Sequence, residues 1–597
     1  MSATINLGTK EAEILLKDLR TNPPVVFLGS GISQWLPTSL PQGMEFSNSL
    51  YKVLFEDTGK LSPKNRASIY KLFQSLPFEH LLELCPSKQK AEYLLVDLYN
   101  SYEFNAIHKA IAHAFITRNI LSLITTNYDN CIDSVLRTSK GFEYTKIVSE
   151  IDAQKESNDN KPTYFKIHGS AGYDDNEKPV FTLSRESLLP PGKRRLLKDL
   201  IGEKTILFIG YSGLDFDICP EIDRIPNIKV CWNTFSTAFP SYNAERLINK
   251  KNGTQICGDM RVLISDWIYP INVDRSTYQG DVAQLIKSSF SQDELQMWQI
   301  EILNSIGTPD FILEALSEKT NMLDNRFKRK HFARAMFHKG KYNIATRKYI
   351  ENAISNLFSG RRAEAADCLV EASDSVRSAG STISPFLLIL LGLILERKTT
   401  LARAILKVSL IFARLAEVTT ILHLTAITKK ALPFIKRLLI ICAKESILAG
   451  NWFDFQQVSL IASRLDIPLE ELENDVSYPP PNPKDGYSHL GYYIGNVMVL
   501  IDNCRTIIAQ KNTKNRQDLH EEILKNYLIC VDIGLDTGAW KLLALLYSFE
   551  DDKGKWINNH HANFLKYFWN CDYIWWTRNQ QAKRYGLNKE LIKKNTS

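Results

Sequence analysis

No C-x-x-C pair occurs in this 597-residue chain. Its ten cysteines, Cys85, Cys131, Cys219, Cys231, Cys257, Cys368, Cys442, Cys504, Cys530 and Cys571, are scattered, and several sit in apolar runs such as the ICA around Cys442. A structural zinc site needs closely paired ligands, so no metal is expected. His560 and His561 are no substitute, because adjacent residues of a helix point in different directions. Free, buried thiols in a reducing compartment are the expectation. Long apolar runs are lacking too: Phe386 to Leu395 is the longest, about half of what a membrane span requires. It follows Ser384-Pro385 and ends in Glu396-Arg397-Lys398, which predicts a buried helix. The N-terminal segment MSATINLGTKEAEILLKDLR holds acidic residues and no uninterrupted apolar stretch, unlike a signal peptide. The expectation is a cytoplasmic protein with no membrane partner. A net charge of +7 is mild and makes nucleic-acid binding depend on local clusters.

What is present falls into two textures. The chain is too long for one hydrophobic core. Up to about residue 290, short apolar runs alternate with helical patterns: Val25–Leu28, Leu121–Thr126, Tyr164–Ile167, Thr205–Ile209, Ile228–Phe235 and Val262–Ile264 read as strands. Asp129–Thr138 and Arg195–Ile201 read as helices between them. This alternation predicts a parallel, Rossmann-like α/β sheet. Beyond it, helical patterns take over, with small-residue turns at Ser359-Gly360-Arg361 and Gly450-Asn451 that look like helical-repeat hairpins. Three domains are expected: 1–290 α/β, 291–477 α-helical, and 478–597 α-helical after the proline-rich loop Tyr478–Gly486.

Polar residues collect where the predicted strands end, which is where open parallel sheets bind ligands. Gly29-Ser30-Gly31-Ile32-Ser33 follows the first run; such a turn lets backbone approach a pyrophosphate. Thr125-Thr126-Asn127-Tyr128-Asp129 ends the second, with Asp129 also readable as a helix N-cap. His168-Gly169 ends the third, where a histidine is suited to acid/base work. Gly210-Tyr211-Ser212-Gly213-Leu214-Asp215-Phe216-Asp217 follows the fourth, and Asn233 lies late in the fifth.

The order G-S-G-x-S, T-T-N-x-D, H-G, G-Y-S and strand-borne Asn resembles the sirtuin series G-A-G-x-S, T-Q-N-x-D, H-G, G-T-S and I-N over residues 20 to 270. Gly210-Tyr211-Ser212 with its following aspartates looks particularly like the SIR2-like NADases of bacterial antiphage defence. The resemblance implies NAD+ as substrate. By it, Gly29, Ser30, Gly31 and Ser33 form the phosphate- and ribose-facing loop, and Thr126 belongs to the same cofactor-binding set. Asn127 lies beside the nicotinamide ribose, Asp129 holds the carboxamide and His168 is catalytic. Gly210, Tyr211, Ser212 and Asn233 lie on the adenosine side, and Asp215 is a ribose or loop-ordering residue.

The departures point away from deacylation. Sirtuin deacylases carry cysteine pairs for zinc soon after H-G, whereas the 35 residues between Gly169 and Thr205 contain no cysteine. The zinc module and its acyl-lysine groove are therefore expected to be absent. In place of G-I-P-x-F-R stands Ile32-Ser33-Gln34-Trp35-Leu36-Pro37, without the arginine. Water then becomes the expected acceptor. Nicotinamide in NAD+ is a cationic leaving group, and its departure leaves an oxocarbenium-like centre that needs positioning and electrostatic help. Asn127 would orient water or the ribose hydroxyls, His168 would act as general base and Asp129 would grip the carboxamide. ADP-ribosyl transfer, deacylation or a non-catalytic NAD-binding sensor are the alternatives.

The helical half is read as control, through a homo-oligomer, a phage-protein trigger or an ATPase partner subunit. Trp569, Tyr573, Trp575 and Trp576 followed by Arg578, Lys583, Arg584, Lys589, Lys593 and Lys594 offer a weak nucleic-acid signal beside the plainer reading, an aromatic cluster with a solvated tail.

Overall fold

A computed structural model describes residues 3–396, apart from parts of 57–77 and 274–279, the stretches 156–160, 183–188 and 318–323, and a few positions elsewhere; beyond 396 only isolated positions are described. The turn at Gly450-Asn451, the proline loop, His560-His561 and the aromatic-basic segment 569–594 lie outside the described residues.

Eight parallel strands form one sheet: β1 (Ala3–Asn6), β2 (Val25–Leu28), β3 (Ser122–Thr125), β4 (Thr145–Ile147), β5 (Thr163–Lys166), β6 (Thr205–Ile209), β7 (Lys229–Thr234) and β8 (Thr254–Cys257), in the order β1-β8-β7-β6-β2-β3-β5-β4. Val25 stands opposite Ser122 of β3 on one side and Ile206 of β6 on the other. All four residues of β2, β3 and β5 are buried, as expected of strands covered by helices on both faces. Side chains alternate between two cores: Val25, Phe27, Ile206, Phe208 and Trp232 on one face, Val26, Leu28, Leu207, Ile209 and Cys231 on the other. From β2 the chain runs to β3, then to the edge strand β4, turns back to β5 between β3 and β4, and crosses to β6 on the other flank of β2. The order reverses at β2, and at such a switch point open parallel sheets bind ligands in the crevice outside the carboxyl ends of their strands.

Val262–Ile264 is not a strand. It lies in the helix Met260–Trp267, whose start is capped by Asp259 accepting from the Arg261 N–H. Its buried residues, Leu263, Ile264 and Trp267, follow helical spacing, which a three-residue apolar run does not distinguish from a strand. The last strand is the neighbouring TQIC, with polar Thr254 and Gln255.

Beyond the sheet, helices Gln292–Ser305, Pro309–Leu316, Asn325–His338, Tyr342–Phe358, Arg362–Ser378 and Ser384–Leu395 follow one another, and each later one packs on its predecessor. The turn expected at Ser359–Arg361 is there, closed by Gly360 in the left-handed conformation (φ +73°). The helix expected over Phe386–Leu395 is there as Ser384–Leu395, buried on one side. Pro385, Ile389 and Gly392 are buried, while Leu387, Leu390, Leu391 and Ile394 are exposed. With no polar face in its sequence, the buried side was not readable. No described helix is long and apolar enough to cross a membrane. The six described cysteines are buried and free.

Candidate functional site

The two glycine loops meet first. β2 is followed by Gly29, whose N–H donates to the Ile209 carbonyl at 3.0 Å, and the Gly31 N–H donates to the Gly210 carbonyl at 2.9 Å. A Cβ on Gly29 would sit 2.4 Å from the Gly210 oxygen, and one on Gly31 2.9 Å from it. Gly210 is itself left-handed (φ +64°). Only glycine allows these backbones to cross so closely. Ser30 turns outward, its hydroxyl donating to Gln42 Oε1 at 2.8 Å. Ser33 turns inward and is buried.

Ser33 is the centre of a directed chain. The Asn105 N–H donates to His108 Nδ1 at 3.2 Å, which leaves the imidazole proton on Nε2. Nε2 lies 3.1 Å from Ser33 Oγ, and Ser33 Oγ donates to Asp129 Oδ2 at 2.8 Å. Burial pushes His108 down to about 4, against the opposing pull of Asp129, so the ring is neutral at pH 7. Asp129 serves twice: its Oδ1 accepts from the N–H of Cys131, the first residue of the helix Cys131–Thr138, at 3.1 Å. The N-cap position itself falls to Asn130, one residue later than the cap reading of Asp129.

Asn127 leans on the same pair. Its Nδ2 lies 3.4 Å from Ser33 Oγ and from Asp129 Oδ2. Since a carboxylate only accepts, the amide nitrogen must face it, and Oδ1 points away. Oδ1 is buried without a hydrogen-bond partner among the described residues. Thr126 is half-buried, its N–H reaching the Leu28 carbonyl at 3.4 Å.

The loop carrying Asn127 and Asp129 is held from below by a buried cation. Lys166, the last residue of β5, is fully buried. Its Nζ donates to the carbonyls of Tyr128 (3.1 Å) and Asp129 (2.6 Å), to Asn130 Oδ1 (3.2 Å) and to Ser170 Oγ (2.8 Å). Burial lowers its proton affinity, and Asp133 and Asp129 oppose that. A second buried lysine, Lys193, holds the Ile167 carbonyl and Glu177 Oε1, each at 2.8 Å.

Between these anchors lies His168, buried at the end of β5. Its Nε2 is 3.1 Å and 3.2 Å from the two carboxylate oxygens of Asp217. Burial works against the imidazolium, but Asp217, by charge and hydrogen bond, and then Asp215 outweigh it and raise His168 above its usual value. Gly169 makes the turn possible: it is left-handed (φ +84°), and a Cβ there would meet the Lys178 carbonyl at 2.3 Å.

The remaining expected residues lie apart from the Asn127 cluster. The Tyr211 ring is in the core, stacked on Phe208 and Trp232 at 5.6 and 5.5 Å, and its carbonyl accepts from Trp232 Nε1. Ser212 is exposed. Asn233 Nδ2 donates to the carbonyls of Ile256 and Gly258, both at 3.0 Å, tying β7 to the end of β8. Asp215 is half-buried; burial raises its carboxyl, and His168 pulls the other way.

His108, Lys166, Lys193 and Asp217 were missed by sequence reasoning as site residues. Asn105-Ala-Ile-His108 has capping-box spacing, and a lysine inside the apolar TYFKI run signals a partnered buried charge; both were legible signs. Glu79, on the helix Phe78–Glu83, also belongs to the neighbourhood: burial and Asp215 push it up to about 7, with His168 opposing. His108, Asp129 and Cys131 place a nitrogen, an oxygen and a sulfur within 4.8 Å of one another. Burial and Asp129 push the Cys131 thiol well above its usual range, so it resists the deprotonation a metal ligand needs.

Helix Phe78–Glu83 is in turn held by the helical region. His80 Nε2 lies 2.6 Å from Ser305 Oγ, and Trp298 Nε1 donates to the Leu81 carbonyl at 2.8 Å.

The fold and these loops define an α/β domain with its polar cluster at the carboxyl ends of central parallel strands. Residues 121–227 match the family model of the SIR2-like domain, so the chain carries a SIR2-like domain. The match takes in Asn127, Asp129, His168 and Gly210 to Asp217; the loop at Gly29–Ser33 and Asn233 lie outside it. A SIR2-like domain implies NAD+ binding and an NAD-utilising activity. No curated protein matches the chain.

Proposed function

We propose that the chain is an NAD+ hydrolase: water replaces nicotinamide on the ribose carbon, giving nicotinamide, ADP-ribose and a proton. The observation that carries this reading is the orphaned Asn127 Oδ1. A buried acceptor without a donor costs about 1–3 kcal/mol, and a ribose hydroxyl or a water would remove that cost. Asn127 is the residue assigned to this contact, held by Ser33 and Asp129. His168 accepts the proton lost by water. Asp129 orders the nicotinamide side, and the glycine turn after β2 offers its backbone to the pyrophosphate. The 35 residues after Gly169 contain no cysteine, so no zinc-bound peptide module competes with water as acceptor.

In this reading the enzyme is an effector of bacterial antiphage defence that depletes NAD+, with NADase activity gated by the helical region. The support for gating is the helix Phe78–Glu83, which carries Glu79 toward His168 and is hydrogen-bonded to the helix Gln292–Ser305 through His80 and Leu81. A phage protein, an ATPase subunit or assembly into a homo-oligomer would act through such contacts.

The test is incubation of purified full-length protein with NAD+, with and without lysate from phage-infected cells, following nicotinamide and ADP-ribose. Release that disappears in Asn127→Ala and His168→Ala is expected, and release only with lysate marks gating. Intact NAD+ recovered from the protein under both conditions would overturn hydrolysis in favour of a binding module. Label transferred to protein would favour ADP-ribosyl transfer.

A further inference from the structure

The geometry points to Asp217 as a positioning residue for His168: its carboxylate holds the imidazole by Nε2 and stabilises the imidazolium formed when His168 takes up a proton. Neither the glycine loop nor the Asn127 cluster includes this residue, and the neighbouring Asp215 was the one expected to act.

Three observations carry the assignment. Both carboxylate oxygens lie within hydrogen-bond distance of Nε2, at 3.1 and 3.2 Å. Both side chains are shielded from water, 4% exposed for His168 and 3% for Asp217, so the pair is neither screened by solvent nor satisfied by it. Finally, Asp217 stands at the N-cap of the helix Ile218–Asp223 yet makes no capping hydrogen bond. An aspartate at that position ordinarily caps, which is worth about 1 kcal/mol. Its oxygens are turned to the histidine instead, the arrangement by which a carboxylate fixes an imidazole's tautomer and orientation.

Other charges face the same ring. Asp215 comes from the loop after β6, Glu79 from the helix Phe78–Glu83 and Lys193 from the helix Pro191–Ile201. Lys193 is paired with Glu177, which offsets its repulsion. Asp217 places both carboxylate oxygens within hydrogen-bond distance of the ring and is the largest influence favouring the charged form.

The kinetic arm of the test rests on the hydrolase reading; the spectroscopic arm does not. Full-length protein labelled with ¹³Cε1-histidine is titrated by NMR, the His168 resonance being the one lost in His168→Ala. The wild-type midpoint is expected above the ordinary 6.5. Asp217→Asn should lower it by about 1–3 pH units, the usual effect of removing an opposite charge at this range, and Asp217→Glu should restore part of the shift. In NAD+ turnover, the acid limb of kcat/KM should move down by the same interval in Asp217→Asn, with kcat falling more than KM changes. A wild-type midpoint at or below 6.5, or an unmoved midpoint in folded Asp217→Asn, overturns the assignment. If Asp217→Asn fails to fold, the wild-type midpoint and Asp217→Glu decide it. A shifted midpoint in a protein that never consumes NAD+ upholds the His168–Asp217 pair and defeats the hydrolase.

Discussion

Lys166→Met separates loop positioning from chemistry, because the substitution keeps an unbranched apolar stem and removes the terminal ammonium with its charge and donors. In the native protein the ammonium serves two carbonyls, Asn130 Oδ1 and Ser170 Oγ at 2.6–3.2 Å, all on or beside the loop bearing Asn127 and Asp129. Removing one partner of a buried polar cluster costs about 3–5 kcal/mol, because the acceptors stay buried and lose their donor. The loss is not larger because Asp133 keeps a second cation: Lys146 Nζ lies 2.6 Å from its Oδ1, against 3.8 Å for Lys166. For a domain of this size, about 2–4 °C of Tm accompanies each kcal/mol, so a fall of roughly 10 °C is expected. NAD+ turnover at a temperature where the variant is folded should fall by at least tenfold, since an oxygen displaced by about an ångström loses its catalytic geometry. Differential scanning fluorimetry and a nicotinamide-release assay measure the two effects. A Tm within a degree of wild type would refute the reasoning, because the acceptors would then have been satisfied without the lysine.

Two further expectations follow from groups away from the substrate. His108 is pushed down to about 4 by burial, so the unfolded chain binds its proton more readily than the folded one between that value and 6.5. Stability is therefore full above pH 6.5 and declines as pH falls toward 4, by up to about 3 kcal/mol from this residue; urea midpoints between pH 7.5 and 5 should fall, and less steeply in His108→Gln. Trp298→Phe keeps the ring against Phe290 but removes the donor to the Leu81 carbonyl; a destabilisation of about 1 kcal/mol is expected together with a changed ratio of triggered to basal NAD+ loss, and an unchanged ratio would sink the proposed link between helices and site.

The central sheet was legible because its strands are buried on both faces and therefore read as unbroken apolar runs: VVFL, SLIT and TILFI all appear as strands where expected. β1, β4 and β8 were not, since β1 is largely exposed, β4 spans three residues and β8 begins with Thr254-Gln255, leaving no apolar run to find. The position of Asn127, Asp129 and His168 just past strand ends was legible, because β3 and β5 are apolar runs. Their partners were not, because Ser33–Asp129, Ser33–His108 and His168–Asp217 join residues 96, 75 and 49 positions apart. Such contacts follow from strand order, and the order β6-β2-β3-β5 has no local signature in the chain. The Gly360 turn was readable because its cause is local: a glycine in the left-handed conformation ends one helix and admits the next.

The placement of charge argues for a common logic in the site. The two buried cations, Lys166 and Lys193, give hydrogen bonds to the backbone carbonyls of Tyr128, Asp129 and Ile167, which flank the residues assigned to chemistry. They hold the loops and are spent in doing so. The carboxyl groups, in contrast, gather round the one imidazole: Asp217 in contact, Asp215 and Glu79 close enough to shift it and be shifted by it. With little water to screen them, these groups favour positive charge at the crevice. The NAD+ hydrolysis proposed above passes through a ribose carbon that gains positive character as nicotinamide departs, and such a field would favour that step. The same neighbourhood is reached by the helix Phe78–Glu83, so a displacement of that helix by the helical region would alter the field at His168 before it altered any bond in the Asn127 cluster.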